Sequence, residues 1–274
     1  MTFCGLLSVT NPRRRGQLAN SHSIRSDRNH WVACRECPLD QCEGLRPHDA
    51  ESVRYLQEFK EGELSLTRSG ALLNQGAPSP HIYTLLDGIM IRQVKLEDGS
   101  RQIVNFMFPG DLVGLQAAID QDMEHSVEAL TDCRLCVFPR ERFTDLVTRF
   151  PRFSYDVIWL AAKEESALES HLVALGKRNA HERVAYLALY LVQRGIMTGL
   201  AEANGRARLE IPITQRQIAD MLGLSLVHTN RTMQALRQSN LLHWDGDGIT
   251  IEDMEAACDY AKFDGLDDKP RPFL

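Results

Sequence analysis

The sequence predicts an α+β chain in which a β-roll is followed by one long helix and then by a winged helix-turn-helix. Three observations predict it. Residues 62 to 140 consist of short alternating or apolar runs broken by turn signals, the texture of a roll or barrel of short strands. After Pro151, "RFSYDVIWLAAKEESALESHLVALGKRNAHERVAYLALYLVQRG" keeps a helical texture broken only by Gly176, which suits one long helix followed by another. Near the C-terminus, "IPITQRQIADMLGLSLVHTNRTMQALRQSNLLHWDGDGITI" sets two short helix patterns on either side of Gly223-Leu224-Ser225. It ends in a glycine-containing hairpin around Asp245-Gly246-Asp247-Gly248.

The parts divide as follows: an N-terminal segment with a cysteine cluster over 1–47, the roll over 48–150, the long helix over 151–179, the winged helix-turn-helix over 180–255 and a tail over 256–274. Residues 1 to about 33 are rich in Ser, Asn and Arg without an apolar period and read as mobile. Inside the roll, Asp98-Gly99 between "IMIRQVKL" and "RQIVNFMF" is a two-residue hairpin signal, because both residues tolerate positive φ.

Composition bounds the function. A chain of 274 residues with 43% hydrophobic and 25% charged content is ordinary for a globular protein, and no apolar run approaches the length that crosses a bilayer. In "MTFCGLLSVTNPRRRG" the basic run follows the apolar one, the reverse of a secretory signal, so a cytoplasmic protein with no membrane partner is expected. The net charge of -6 gives no global signature of nucleic-acid binding, so any DNA contact needs a local basic surface. "HWVACRECPLDQCEGLRPHD" spaces Cys34, Cys37 and Cys42 as C-x2-C-x4-C. Under reducing conditions that pattern reads as metal-binding or redox-active rather than a structural disulfide. His30, His48 and His81 are candidate haem ligands, but single histidines in polar segments are usually solvated.

The long helix carries a stripe. Ile158, Ala161, Glu165, Leu168, Leu172 and Leu175 recur at intervals of three and four and share one face, as in a helix that buries against another helix or against its own roll. Glu165 in such a stripe is costly unless something offsets it. In the helix-turn-helix, Thr214 and Ser225 are N-cap residues for the first and second helix, and Ala219, Leu222, Leu224 and Met233 hold the two at a fixed angle. The second helix presents His228, Asn230 and Arg231 near its exposed N-terminal end, and Arg231 can bridge guanine O6 and N7. Arg206, Arg208, Arg216 and Arg237 make the local surface basic and suit phosphate contact.

With "FPGDLVGL", "GKRNAHERVAYL" and "TQRQIADMLGLSLVHTNRTMQALRQSNLL" in that order, the chain resembles the Crp/FNR superfamily of dimeric bacterial transcription regulators from about residue 45 to residue 252. The resemblance implies a cyclic-nucleotide-binding-like jelly roll and a homodimer joined through the stripe. It also implies effector-controlled binding to a two-fold symmetric double-stranded operator, with RNA polymerase as a partner. Cyclic-nucleotide binders of the superfamily carry a Gly-Glu-Leu motif and an Arg-Ser or Arg-Thr pair. Here Gly114 is followed by Leu115, and His125 by Ser126, which disfavours cAMP. Where relatives place Glu before the guanine-reading Arg, this chain has Val227, which suits contact with a thymine methyl.

FNR-like members join an N-terminal cysteine cluster to one roll cysteine and hold an oxygen-labile [4Fe-4S] cluster. Cys136 in "EALTDCRLCVFP" stands at that roll position and completes a set of four with Cys34, Cys37 and Cys42. The x4 gap is shorter than in those members, and Cys133 could substitute for Cys136. Cys4 and Cys258 are bystanders. Many superfamily members also begin with a Cys-x-x-Cys-Pro-Leu segment that need not bind anything, and "CRECPLD" resembles it. The alternatives are therefore a regulator of this type without a cluster, responding through thiol redox or another effector, and a redox or metal protein that does not bind DNA. No enzyme constellation is present.

Overall fold

A computed structural model of the chain describes residues 24–25, 31–119, 122–267 and 269–274. Cys4, His30 and most of the segment read as mobile lie outside the described residues. Within that segment, Ile24–Arg25 forms β1, which pairs antiparallel with β2 (Gly62–Leu66) at a sheet edge. Edge pairing of this kind uses backbone groups alone and leaves no apolar period to read.

The cysteine segment folds as two 3-10 turns, Cys34–Glu36 and Pro38–Gln41, and leads into α1 (Ala50–Phe59), capped by the Asp49 carboxylate accepting from Ser52 N. After β2 come β3 (Ala71–Leu73), β4 (His81–Asp87), β5 (Met90–Lys95), β6 (Arg101–Met107), β7 (Leu112–Val113), α2 (Leu115–Ile119), β8 (Ser126–Ala129) and β9 (Cys133–Pro139). They make two facing sheets, ordered β1-β2-β9-β4-β7 and β3-β8-β5-β6. Between them Leu64, Leu85, Met90, Val127, Leu135 and Val137 form a dry core, because alternate residues of each strand point inward. The hairpin signalled by Asp98-Gly99 joins β5 to β6, with a difference in its turn. Leu96 N donates to Ser100 O and Gly99 N to Leu96 O, so three residues form the turn, and Gly99 closes it at φ +82°.

A short helix, α3 (Phe143–Arg149), leads into α4 (Pro151–Lys177), which has Pro151 in its first turn where a missing N–H costs nothing. One face of α4 buries Phe153, Asp156, Val157, Leu160, His171 and Ala174. α5 (Ala180–Met197) starts at a capping box of Asn179 and Glu182 and is buried along most of its length. Beyond it, β10 (Ala201–Asn204), β11 (Arg206–Glu210), α6 (Gln215–Leu222), α7 (Leu226–Gln238), β12 (Leu242–Trp244), β13 (Gly248–Ile251) and α8 (Met254–Ala261) complete the C-terminal half. Its sheet runs β10-β11-β13-β12, with β12 and β13 as the wing.

Two of the attachments between the halves involve α6 and the tail. α6 docks on β6, where Arg101 Nε donates to Asp220 Oδ2 at 2.7 Å and Gln102 Nε2 to Met221 O at 2.9 Å. The tail after α8 turns back toward the N-terminal segment. Arg271 N donates to Gly44 O and Arg46 N to Arg271 O, and Phe273 and Leu274 end buried beside Leu39, Phe59 and Phe153.

Candidate functional site

The helix-turn-helix is built by local chemistry. The Thr214 hydroxyl accepts from Gln217 N at 3.2 Å, and the Gln217 side chain accepts from Thr214 N at 2.8 Å, a reciprocal cap for α6. Gly223 ends α6 at φ +61°, a left-handed position that a side chain would strain. Ser225 then caps α7 by accepting from His228 N at 3.2 Å. Ala219, Leu222 and Met233 are buried and Leu224 is half-buried, which fixes the angle between the helices. Val227, His228, Asn230, Arg231 and Arg237 are all exposed on α7, and Thr229, Thr232, Met233 and Leu236 face inward. This arrangement leaves a polar helix face free to enter a major groove.

The basic residues around it are less free than the sequence suggests. Arg216 lies 3.5 Å from Asp220, Arg206 lies 3.2 Å from Glu252 and Arg208 lies 3.6 Å from Glu210. Asp220 also takes Arg101 of the roll, so Arg216 shares a carboxylate with the docking contact.

At the other end of the chain, Cys34, Cys37 and Cys136 line one small cavity of about 10 Å³ together with Lys60, Glu63 and Leu86. Lys60 and Glu63, 2% and 7% exposed, pair at 2.7 Å. They also hold the segment, since Val32 N donates to Glu63 Oε1 and Lys60 Nζ to Val32 O. Strand alternation decides between the two roll cysteines. Cys136 faces outward toward the segment, and Cys133 lies in the inner core with its thiol against Ile89 O and Thr131 O. Cys42 stands apart. Its thiol donates to Thr198 O at 3.4 Å just past the end of α5, where Gly44 N also donates to Met197 O. Gly44 is required there, because a Cβ would fall 2.4 Å from Met197 O.

Burial pushes Cys37 up to about 11 and Cys136 up to about 12, the second despite the Lys60 ammonium nearby, so neither is a ready nucleophile. Among the described residues, no three His, Cys, Asp or Glu side chains are grouped as a single metal ion needs. Three of the four expected thiols, drawn from two distant parts of the chain, meet at this cavity, which is the donor type an iron–sulfur group takes, and the Glu63 carboxylate beside them is held by Lys60. Of the haem candidates, His48 is not solvated: it packs edge-on against Phe273 at 4.5 Å with neither ring nitrogen bonded. His81 lies 3.2 Å from Glu61. Cys258 is half-buried on α8.

The predicted stripe on α4 is uncovered in the single chain. Ile158 is 67% and Leu172 69% exposed, Ala161 and Glu165 are exposed, and Leu168 and Leu175 are half-buried. Between this stripe and the roll lies a cavity of about 530 Å³ that Gly114, Leu115 and His125 line, as their positions in the roll imply. The sequence reading missed a guanidinium there: Arg92 of β5 also lines the cavity, held at 2.9 Å by Glu164 of α4. Its partner is 72 residues away, so no local pattern announces it. Burial first, and Arg92 second, push His125 down to about 4.

Comparison with known proteins gives matching families for both halves. Residues 63–150 match a cyclic nucleotide-binding domain and residues 182–258 a Crp-like helix-turn-helix domain. The transcriptional activator protein FnrL of Cereibacter sphaeroides is 25% identical over 78% of this chain and 85% of its own length. The fumarate and nitrate reduction regulatory protein of Yersinia pestis is 26% identical over 84% and 90%. Among solved structures, FixK2 from Bradyrhizobium japonicum matches with a TM-score of 0.64 at 24% identity, over 72% of this chain and 96% of that one.

Proposed function

The chain belongs to the Crp/FNR family of DNA-binding transcription regulators, which are not enzymes, and from that premise we propose that an oxygen-labile [4Fe-4S] cluster controls its operator binding. One observation carries the proposal: Cys34 and Cys37 of the N-terminal segment meet Cys136 of β9 at one cavity. When bound, such a cluster supplies an oxygen-sensitive covalent tie between the segment and the roll.

The chain's own residues do the rest. Cys34, Cys37 and Cys136 are ligands, and Cys42 is the fourth, although its thiol now bonds to the Thr198 carbonyl. Lys60 sits where its ammonium offsets the charge of thiolates. Because the same segment contacts Met197 and Thr198 through Gly44 and Cys42, a change at the thiols reaches the end of α5 directly. The α4 stripe joins two copies, so that two α7 helices read half-sites about one helical turn apart. Arg231 bridges a guanine and Val227 touches a neighbouring thymine methyl, with RNA polymerase as the further partner. On this reading the protein is cytoplasmic.

The test is protein purified without oxygen. It should be brown, carry about four irons per chain, bleach in air, and lose colour and regulated operator binding together in Cys37→Ala. Colourless, iron-free anaerobic protein that still binds its operator would sink the cluster reading and leave the DNA-binding assignment intact.

A further inference from the structure

We propose that a second cavity, behind α4 and roofed by the C-terminal tail, is a binding site for a small oxyanion, with Arg194 and Arg271 as its ligands. The cavity measures about 170 Å³. It lies on the face of α4 opposite the apolar stripe, because Trp159, Lys163 and Ser170 are about half a turn round the helix from Ile158, Ala161 and Leu172. Arg194 enters from α5, and Arg271 enters from the tail together with Gly265, Leu266 and Asp267.

With Arg92, which pairs Glu164 from outside the cavity, four cations stand against three carboxylates. Lys163 is matched by Asp267 at 2.8 Å, and Glu164 is matched by Arg92 at 2.9 Å. That leaves Asp111 for two guanidiniums. Arg194 Nη2 donates to Asp111 Oδ1 at 2.7 Å, and Arg271 Nη2 reaches the same oxygen at 2.8 Å. The other oxygen, Oδ2, already accepts from Phe108 N at 2.9 Å. Both arginines are almost fully buried, at 6% and 8% exposure, and the Nε of each has no hydrogen-bond partner. Burial lowers both. Asp111, helped by Tyr190 and Glu164, more than restores Arg194, whereas Arg271, which also feels the Arg194 charge, stays below its ordinary value. One carboxylate therefore serves two buried cations, and a buried donor or charge without a partner is costly.

An oxyanion supplies what is missing: a negative charge and acceptor lone pairs within reach of guanidinium N–H groups. The guanidinium planes are already set, Arg194 over the Phe108 ring at 5.4 Å and Arg271 over the Trp159 ring at 5.9 Å. Size limits the class. At roughly 30 Å³ per liquid water, the space takes a molecule of a few heavy atoms, inorganic phosphate or a small carboxylate, and excludes a nucleotide. The larger cavity across α4 shares Asp111, Glu164 and Arg271 but not Ser170, so Ser170 tells the two apart.

Isothermal titration of the full chain with inorganic phosphate and with malonate, each against chloride at matched ionic strength, tests the site. One site per chain is expected with Kd below about 1 mM for at least one probe, and the tighter probe identifies the ligand as phosphate or carboxylate. Arg271→Gln should weaken binding at least tenfold. Ser170→Leu fills the cavity while leaving every charge in place, and should abolish binding without loss of fold by circular dichroism. If Arg271→Gln does not fold, Ser170→Leu carries the test alone. No saturable heat with either probe up to about 10 mM, or a Ser170→Leu variant that binds as the wild type does, overturns the site.

Discussion

The helix-turn-helix and the sensor half treat polar groups in opposite ways. On α7 the groups proposed to meet DNA are exposed, and the N-caps of α6 and α7 are each closed by a residue three positions away. In the sensor half, buried polar groups find partners far along the chain. His171 Nδ1 meets Tyr186 Oη at 2.7 Å, and its Nε2 lies 3.2 Å from Asn105 Oδ1, which also accepts from Tyr190. Asn105 passes the network to Glu164, and Glu164 to Arg92. The difference teaches where each half keeps its free energy. The DNA end holds unspent hydrogen-bonding capacity in water, and the sensor end has desolvated its groups and depends on each staying paired.

The largest expected effect sharpens this contrast through pH. His125 and His171 are each pushed down to about 4, by burial first and by Arg92 second. The unfolded chain takes up these protons near pH 6.5 and the folded chain does not. Stability is therefore full above pH 6.5 and is lost as pH falls toward 4, by about 3 kcal/mol for each histidine. Urea midpoints at pH 7, 5.5 and 4.5 should fall steadily. Constant midpoints would mean that these imidazoles take up protons in the fold at the same pH as in the unfolded chain.

A slightly smaller loss should follow from breaking the pair beside the thiols. Lys60→Met removes the cation from a pair that is almost fully buried and leaves Glu63 without it, which costs about 3–5 kcal/mol in such settings. It also frees Val32 O. A thermal scan should register a large drop. If Glu63→Gln in the same background restores most of it, the cost lies in the stranded carboxylate and not in lost packing.

What the sequence made legible follows the same division. Thr214, Gly223, Ser225 and the buried Ala219, Leu222 and Met233 were readable because capping and helical period act over three or four residues. The roll was readable from its alternation, and its hairpin from Asp98-Gly99, although the turn uses three residues. Arg92–Glu164, the Asn105–His171 network and the return of Arg271 to Asp111 were not readable. Their partners are 72, 66 and 160 residues apart, and no periodicity marks them. The cysteine site lies between the two cases. Cys34 and Cys37 are conspicuous by spacing and the family resemblance points to Cys136, but only the fold shows that these three line one cavity and that Cys42 turns to Thr198.

At the exposed end, the expectation is a large change in binding with almost none in stability. Arg231→Ala should cost about 1–3 kcal/mol of discrimination at one base of each half-site, read by gel shift against operators varied at that position. The thermal midpoint should barely move, because Arg231 is exposed. Uniform weakening across all operators would instead assign Arg231 to phosphate contact.

The smallest effect asks whether α6 stands on its own caps or on the roll. Thr214→Ala removes the hydroxyl that accepts from Gln217 N and should cost about 1 kcal/mol if local capping sets the stability of α6. α6 has a second support, since Arg101 and Gln102 of β6 hold Asp220 and Met221. The N-terminal end of α7 lies away from the roll and rests on its cap, where Ser225 accepts from His228 N, and on Thr229, whose hydroxyl donates to Ser225 O. Ser225→Ala should therefore cost as much as Thr214→Ala or more. Combining Thr214→Ala with Arg101→Gln should cost more than the sum of the two, because each support partly covers for the other. Strict additivity in denaturant midpoints would show that docking on the roll does not steady α6, and would confine the attachment of the DNA-binding half to α5 and the tail.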